Sequence, residues 1–319
     1  MATLVTGAGL IGTAFAAYAL ARGESVVFLD PEPRADFLRR KLGEKGYTLV
    51  RKDVRDLPGL IETIQTHRID NVVHTAGLIG GRVQQGLSHA FDVNLGGTRN
   101  VAETARLTSV RRLVHISTFG VYDSSRPASG PITEDFPCGG TRAYGAYKAA
   151  KELILGAYAA AFGFELIMLR PANVFGFGHF WSGSSGGRKM QALLEAGLDD
   201  RVARIPSAET MANEYIYAKD MGRAVDLALT VPLASLPPPA QRVFNIGTGA
   251  VTPFAEVLET ARALFPNLRV EIESGEKPKS KEQPLDISRA KKHLGWEPRY
   301  TLHDAFEDYV AELKKARAD

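Results

Sequence analysis
An α/β fold, a doubly wound parallel sheet with a smaller and mostly helical C-terminal lobe, is predicted by three observations. Short apolar, β-branched runs alternate with helical stretches from Ala2 to Leu169, the rhythm of parallel strands joined by right-handed crossovers. A glycine-rich turn, Gly7 to Gly12, links the first run to the first helix. Beyond Pro171 the alternation gives way to loop-like, aromatic and helical segments. At 319 residues and 45% apolar content the chain has enough material for a large core. The expected division is residues 1–171 plus 216–248 for the sheet domain and 172–215 plus 249–319 for the lobe.

Ala2–Thr6 reads as a buried strand, followed by an Ala-rich helix from Thr13 to Arg22. Ser25–Leu29 and Tyr47–Arg51 give two more strands, Leu57–His67 a helix and Asn71–Thr75 a fourth strand. Gly86–Leu107 reads as one long helix weakened in its middle by Gly96 and Gly97. Arg111–Ile116 and Phe164–Leu169 are the fifth and sixth strands, separated by a helix from Tyr144 to Phe162. From Phe175 to Gly187 the composition turns to Gly, Ser and aromatics, as in a long loop lining a cleft. Tyr215–Tyr217 is a short strand, Asp220–Leu229 a helix, Leu236–Pro239 a rigid connector and Val243–Ile246 a last strand returning to the sheet. Helices near Pro253–Phe265, Ser288–Leu294 and Leu302–Arg317, with a strand at Arg269–Glu273, complete the lobe.

Strand, G-x-G-x-x-G and helix, in that order, is the confirming context of a dinucleotide-binding turn. Gly7 permits the tight turn, Gly9 lets the backbone approach a pyrophosphate, and Gly12 permits close helix packing. Leu10 and Ile11 complete the turn, where the N–H groups of a helix start face the phosphates. Asp30 ends the second strand, eighteen residues past Gly12. An acid there hydrogen-bonds a ribose 2′-hydroxyl and repels a 2′-phosphate, favouring NAD over NADP, with Arg34 as a nearby counterweight.

A second constellation is equipped to remove a proton from an alcohol. Thr118 closes an apolar strand, and Tyr144-Gly145-Ala146-Tyr147-Lys148 follows on a helix. Four residues is just over one turn, so Tyr144 and Lys148 share a face. Bringing a phenol from a pKa near 10 to about 7 takes roughly 4 kcal/mol. One ammonium about 4 Å away supplies roughly that at an effective dielectric near 20. The expectation is therefore a phenol made acidic by Lys148, with the Thr118 hydroxyl orienting the substrate oxygen. Gly7, Asp30, Thr75 and Thr118 all fall at strand carboxyl ends, where such sheets bind ligands. Four segments point to one crevice.

The net charge of +3, with acids and bases interspersed, offers no basic stripe for nucleic acid. The lysine-rich run that starts at Glu276 reads as a solvated linker. Cys138 is the single cysteine, so no internal disulfide forms, and it reads as a bystander thiol. No run reaches membrane-spanning length, and no leader is expected ahead of the first strand, which together suggest a cytoplasmic protein. The seven histidines show no pair at metal-ligand spacing, so no metal site is expected.

Together these residues resemble the extended short-chain dehydrogenase/reductases, specifically the NAD-dependent epimerase/dehydratase family. The resemblance spans Thr6–Gly12, Asp53–Asp56, His74–Gly77, Val93–Thr98, Ser117–Tyr122, Tyr144–Lys148, Leu169–Gly176 and a closing segment of Asp286–Lys291 and Leu294–Pro298. It implies a Rossmann-type fold with NAD as cofactor, Asp53 and Val54 against the adenine, and Thr75 and Ala76 along the dinucleotide. It also implies Asn94 behind the nicotinamide end, Thr118, Tyr144 and Lys148 as the catalytic trio, and Lys148 also on the nicotinamide ribose. Asn173 matches a substrate-facing position, and a homodimer through the Gly86–Leu107 and Tyr144–Phe162 helices is in keeping with the family.

Departures from the family pattern narrow the expectation. Gly7 and Gly9 stand one residue closer than in the family's T-G-x-x-G-x-x-G. Phe119 and Gly120 occupy the two positions where 4,6-dehydratases carry Asp and Glu, so no acid–base pair is present to expel water. Asn213 stands where nucleotide-sugar enzymes tend to place an arginine that clamps a diphosphate, and it lacks that charge. Arg188, Lys189, Arg201 and Arg204 are candidates to supply it from the cleft loop. The leading expectation is a nucleotide-sugar epimerase with firmly bound NAD, acting through a transient ketone. An NAD-dependent dehydrogenase of a small polyol or sugar acid, and an NAD-binding sensor without turnover, are the alternatives.

Overall fold
Runs of Val, Leu, Ile and Phe form strands here because both faces of the sheet are covered, which leaves no polar side to alternate with. The computed structural model describes residues 1–108, 110–140, 142–178, 185–276 and 283–318. In chain order the strands are β1 (Ala2–Thr6), β2 (Ser25–Leu29), β3 (Tyr47–Val50), β4 (Asn71–His74), β5 (Arg112–Ile116), β6 (Glu165–Pro171), β7 (Asn173–Phe175), β8 (Ala203–Pro206), β9 (Tyr215–Tyr217), β10 (Val243–Ile246) and β11 (Val270–Glu273). Seven of them form one sheet in the order β10-β6-β5-β4-β1-β2-β3, with every neighbouring pair parallel. The register lines up the carboxyl ends: Thr6 lies opposite Leu29 and His74, His74 opposite His115, and Ile116 opposite Leu169. Strand order reverses between β1 and β4, which opens the ligand crevice beyond those ends.

One face of the sheet packs the Leu10–Ala21 and Ala218–Thr230 helices, so closely that a Cβ on Gly222 would meet the Ala14 carbonyl at 2.6 Å. Phe15, Phe28, Val114 and Phe244 centre that core, and Leu285, Leu294 and Trp296 from the C-terminal part join it. The other face buries Leu4, Leu60, Val101, Leu113 and Leu155 beneath three further helices. A separate cluster of Met190, Leu193, Ile205, Tyr215, Phe306 and Tyr309 forms the core of the smaller lobe.

Several expected elements differ in detail. The long helix runs from Leu87 to Leu107 but contains a π-helical turn, Asp92–Gly96, just before Gly97. Gly97 sits against Val54, whose Cγ2 would lie 2.5 Å from an added Cβ, so the weak middle is a place where the chain comes close to another segment. Elements that were not expected include short helices at Ala35–Leu42 and Gly81–Gln85, strands β7 and β8, and a helix at Ser185–Leu198 that begins inside the predicted loop. Of that loop, residues 179–184 lie outside the described residues, as do residues 277–281 of the lysine-rich run. Among the described residues no helix is long and apolar enough to cross a membrane.

Candidate active site
The turn after β1 is shaped by its glycines in two different ways. Gly7 has φ +90°, and a Cβ there would strike the Thr75 hydroxyl at 2.7 Å. One on Gly12 would meet the Gly7 carbonyl oxygen and Val5 Cγ1, each at 2.7 Å. Gly9 instead has nothing within 4 Å of where a Cβ would stand. It is the N-cap of the Leu10–Ala21 helix and brings no side chain to its first-turn N–H groups. The cradle is thus closed by protein at Gly7 and Gly12 and open at Gly9, with helix N–H groups turned to the opening, and a pyrophosphate fits it.

Asp30 stiffens the same turn, since its carboxylate accepts the Ala8 and Glu32 N–H groups, each at 2.9 Å. The Thr75 hydroxyl donates to the Thr6 carbonyl at 2.7 Å and lies 3.1 Å from that of Gly7. Asp53 is gripped by Arg55 through three hydrogen bonds of 2.8–3.0 Å, which lowers its pKa below the usual carboxylate value. Val54 is buried beside it, and Asn100 Nδ2 donates to the carbonyls of Val54 and Arg55 at 3.1 and 2.8 Å. Asn94 Oδ1 accepts the Leu78 N–H at 3.0 Å and its Nδ2 donates to the Leu78 carbonyl at 3.2 Å.

The catalytic candidates meet where β5 ends. Thr118 caps the short Phe119–Val121 turn, its Oγ1 accepting the Gly120 N–H at 3.1 Å. The Ala143–Phe162 helix comes so near that a Cβ on Gly145 would run into the Gly120 carbonyl oxygen. That approach sets the Tyr144 phenol beside the Thr118 hydroxyl. Burial pushes the phenol up to about 12, and the Thr118 hydrogen bond acts in the opposite sense. Lys148 is 5% exposed. Its Nζ lies 5.9 Å from the Tyr144 ring centre and donates to the Ile116 carbonyl at 2.6 Å. Burial lowers the lysine to about 8, with Glu152 opposing. The expected phenol of pKa about 7 is therefore not the resting state of this chain. The ammonium is held by a strand-end carbonyl, and the desolvation that would strengthen the ion pair first penalises both ions.

A polar network beneath these residues was not expected. Glu152 accepts from the Ser117 hydroxyl and from Arg170, whose Nε and Nη2 approach at 3.0 and 2.6 Å. Arg170 also donates to the Glu134 carbonyl at 3.0 Å and lies 4.9 Å over the Tyr122 ring. Tyr122 in turn donates to Asn245 on β10 at 2.6 Å. The network joins the Ala143–Phe162 helix to the end of β5 and to β6 and β10. One signal in the sequence could have found it: Glu152 is four residues past Lys148, on the same helical face, in a stretch that is apolar apart from Lys151.

The three residues expected to face substrate lie in the smaller lobe but are partly committed. Asn173 donates its side-chain amide to the Glu214 carbonyl at 3.1 Å. Asn213 pairs with Thr252 through two backbone bonds of 3.1 and 2.8 Å. Arg188 bridges to Glu209 at 2.7 Å. Lys189 is buried, donating to the Glu209 and Met211 carbonyls. Arg201 pairs with Glu195 and Asp199, and Arg204 with Glu271. Each cation offered as a substitute for the missing arginine thus has an acid or carbonyl partner.

A parallel sheet, an open glycine cradle and a Thr–Tyr–Lys set at one crevice define a dinucleotide-dependent enzyme acting on an alcohol. The chain belongs to the NAD dependent epimerase/dehydratase family, whose model matches residues 3–247. It is an NAD-dependent enzyme of the extended short-chain dehydrogenase/reductase class. It is 32% identical over 323 residues to a UDP-glucose 4-epimerase of Mycolicibacterium smegmatis, covering 97% of both chains. The Thermus thermophilus UDP-glucose 4-epimerase solved with NAD superposes with a TM-score of 0.82 at 27% identity, covering 98% of this chain and 99% of that one. The Thermotoga maritima UDP-glucose 4-epimerase solved with UDP-glucose, at 23% identity and a TM-score of 0.85, covers 99% of this chain and all of that one and shares its fold.

Proposed function
We propose that this chain is a nucleotide-sugar 4-epimerase that oxidises a secondary alcohol to a transient ketone and reduces it from the opposite face. The observation that carries the reading is the Tyr144 phenol beside the Thr118 hydroxyl, with Lys148 one turn further on. NAD, when bound, supplies the redox step. The Gly7–Gly12 turn holds its pyrophosphate, Asp30 its adenosine ribose, Asp53 and Val54 its adenine, and Thr75, Ala76 and Asn94 flank the rest. Tyr144 takes the alcohol proton and later returns it, Thr118 orients the sugar oxygen, and Lys148 stabilises the phenolate. Asn173, Arg188 and Asn213 line the lobe that faces the sugar nucleotide, and residues 1–171 plus 216–248 form the cofactor domain. The reading includes a location where NAD is supplied, such as the cytoplasm, and a homodimer, supported by the exposed apolar side chains of the Leu87–Leu107 and Ala143–Phe162 segments.

Purified protein mixed with UDP-glucose tests this. UDP-galactose should form at equilibrium without net NADH. A second reading, a dehydrogenase of a small polyol or sugar acid, draws support from Asn213 and from the partnered cations around it. A relative from Kitasatospora kifunensis, 28% identical, is a dTDP-6-deoxy-L-talose 4-dehydrogenase. Steady NADH release with free sugars or sugar acids, and no UDP-galactose, would replace the first reading by the second.

A further inference from the structure
We propose that Lys151 is a positioning residue for the dinucleotide, holding the Ala76–Leu78 turn from beneath the crevice. The inference rests on the cofactor reading above. Lys151 follows Lys148 by three residues on the same helix and is 1% exposed. Its Nζ donates to the Ala76 carbonyl at 2.9 Å. Ala76 adjoins Thr75, whose hydroxyl is bound to the glycine turn. From the other side Asn94 holds both backbone groups of Leu78. Gly77, between the two grips, has φ +156°, and a Cβ there would press on Asn94 Oδ1 and lie 3.4 Å from Lys151 Nζ. Two helices thus clamp a three-residue turn at the edge of the crevice.

The clamp carries a cost that an apolar side chain would avoid. The titratable groups facing Lys151 are Lys148 on its own helix, His74 on β4 and His115 on β5. None is an acid, and the nearby Glu152 is already taken by Ser117 and Arg170. Burial, then Lys148, holds Lys151 well below the ordinary lysine value. Sealing a lysine amine from water with no acid beside it costs stability, whether it keeps its charge or gives up the proton. What Lys151 gives in return is the hydrogen bond to Ala76, at the flank of the dinucleotide.

Lys151→Met separates the two effects. NAD titration by calorimetry should show affinity reduced about fivefold, the worth of one hydrogen bond, while the melting temperature stays level or rises. Lys151→Gln, which keeps an N–H donor without the charge, should recover part of the affinity. If Lys151→Met binds NAD as the native chain does while Asp30→Ala binds it more weakly, Lys151 has no positioning role and the cofactor reading survives. A melting temperature that falls together with affinity, with no recovery in Lys151→Gln, would make Lys151 structural and overturn the inference. No NAD binding by the native chain would overturn both.

Discussion
Lys148 places its amine where it is nearly sealed from water, donating to the Ile116 carbonyl. Its folded pKa of about 8 lies below the ordinary 10.5. The folded chain therefore carries a penalty below pH 10.5 that grows as pH falls towards 8 and is constant beneath. At about 1.36 kcal/mol per unit the penalty approaches roughly 3 kcal/mol. Lys148→Met should thus be more stable than the native chain at pH 7 by up to about 3 kcal/mol, with the gap closing as pH nears 10.5, while turnover collapses. Urea titrations across that range check it, and a less stable variant at pH 7 would contradict the burial assigned to Lys148. Tyr144 belongs to the same scale. Since its phenol rests near 12, turnover should rise with pH through neutrality as the phenolate becomes accessible, and Tyr144→Phe should lose about 10²-fold or more while still binding NAD. A variant that keeps native turnover would remove Tyr144 from the chemistry. Asp30→Ala strips acceptors from the Ala8 and Glu32 N–H groups and should narrow the preference for NAD over NADP in parallel titrations.

The Ala143–Phe162 helix works as an element because four of its residues act on different neighbours. Tyr144 reaches the Thr118 turn, Lys148 the end of β5, Lys151 the turn after β4, and Glu152 the Arg170 guanidinium on β6. Glu152→Ala would leave Arg170 buried without its acid, a loss of about 3–5 kcal/mol, read as a lower urea midpoint. Glu152→Met with Arg170→Met should restore much of it, because the cost lies in the orphaned charge. If the double variant is no better than the single one, the pair is not the unit that matters. The periodicity of this helix, its start to within one residue and its end at Phe162 were legible from the residues alone. Its neighbours were not, because the partners of Glu152 and Lys151 come from residues 18 to 75 positions away. The Ala35–Leu42 helix escaped notice for a different reason: it is barely two turns long and carries only two buried residues, Phe37 and Leu38.

At the scale of the whole molecule, apolar surface is concentrated on one pair of helices. Of eight exposed large hydrophobic residues among the described residues, Leu87, Phe91, Leu107, Leu153 and Phe162 belong to the Leu87–Leu107 and Ala143–Phe162 segments, with Leu153 at 75% exposure. A second copy docked there would cover them. On the proposed homodimer, the native chain should sediment as a dimer and Leu153→Arg as a monomer with folded stability within about 0.5 kcal/mol of native; a native chain that sediments as a monomer, or a variant of unchanged mass, would count against a dimer through this face. The fold class, the glycine turn and the spacing that puts Tyr144 and Lys148 on one helical face were legible in the sequence, because strand periodicity, backbone freedom and helical spacing are properties of consecutive residues. Where the Lys148 ammonium rests, which acids neutralise Arg170 and Arg188, and whether Asn94 and Asn173 have free amides were decided only by tertiary structure. Those outcomes depend on desolvation and on partners brought together from distant parts of the chain, and neither is written in local order.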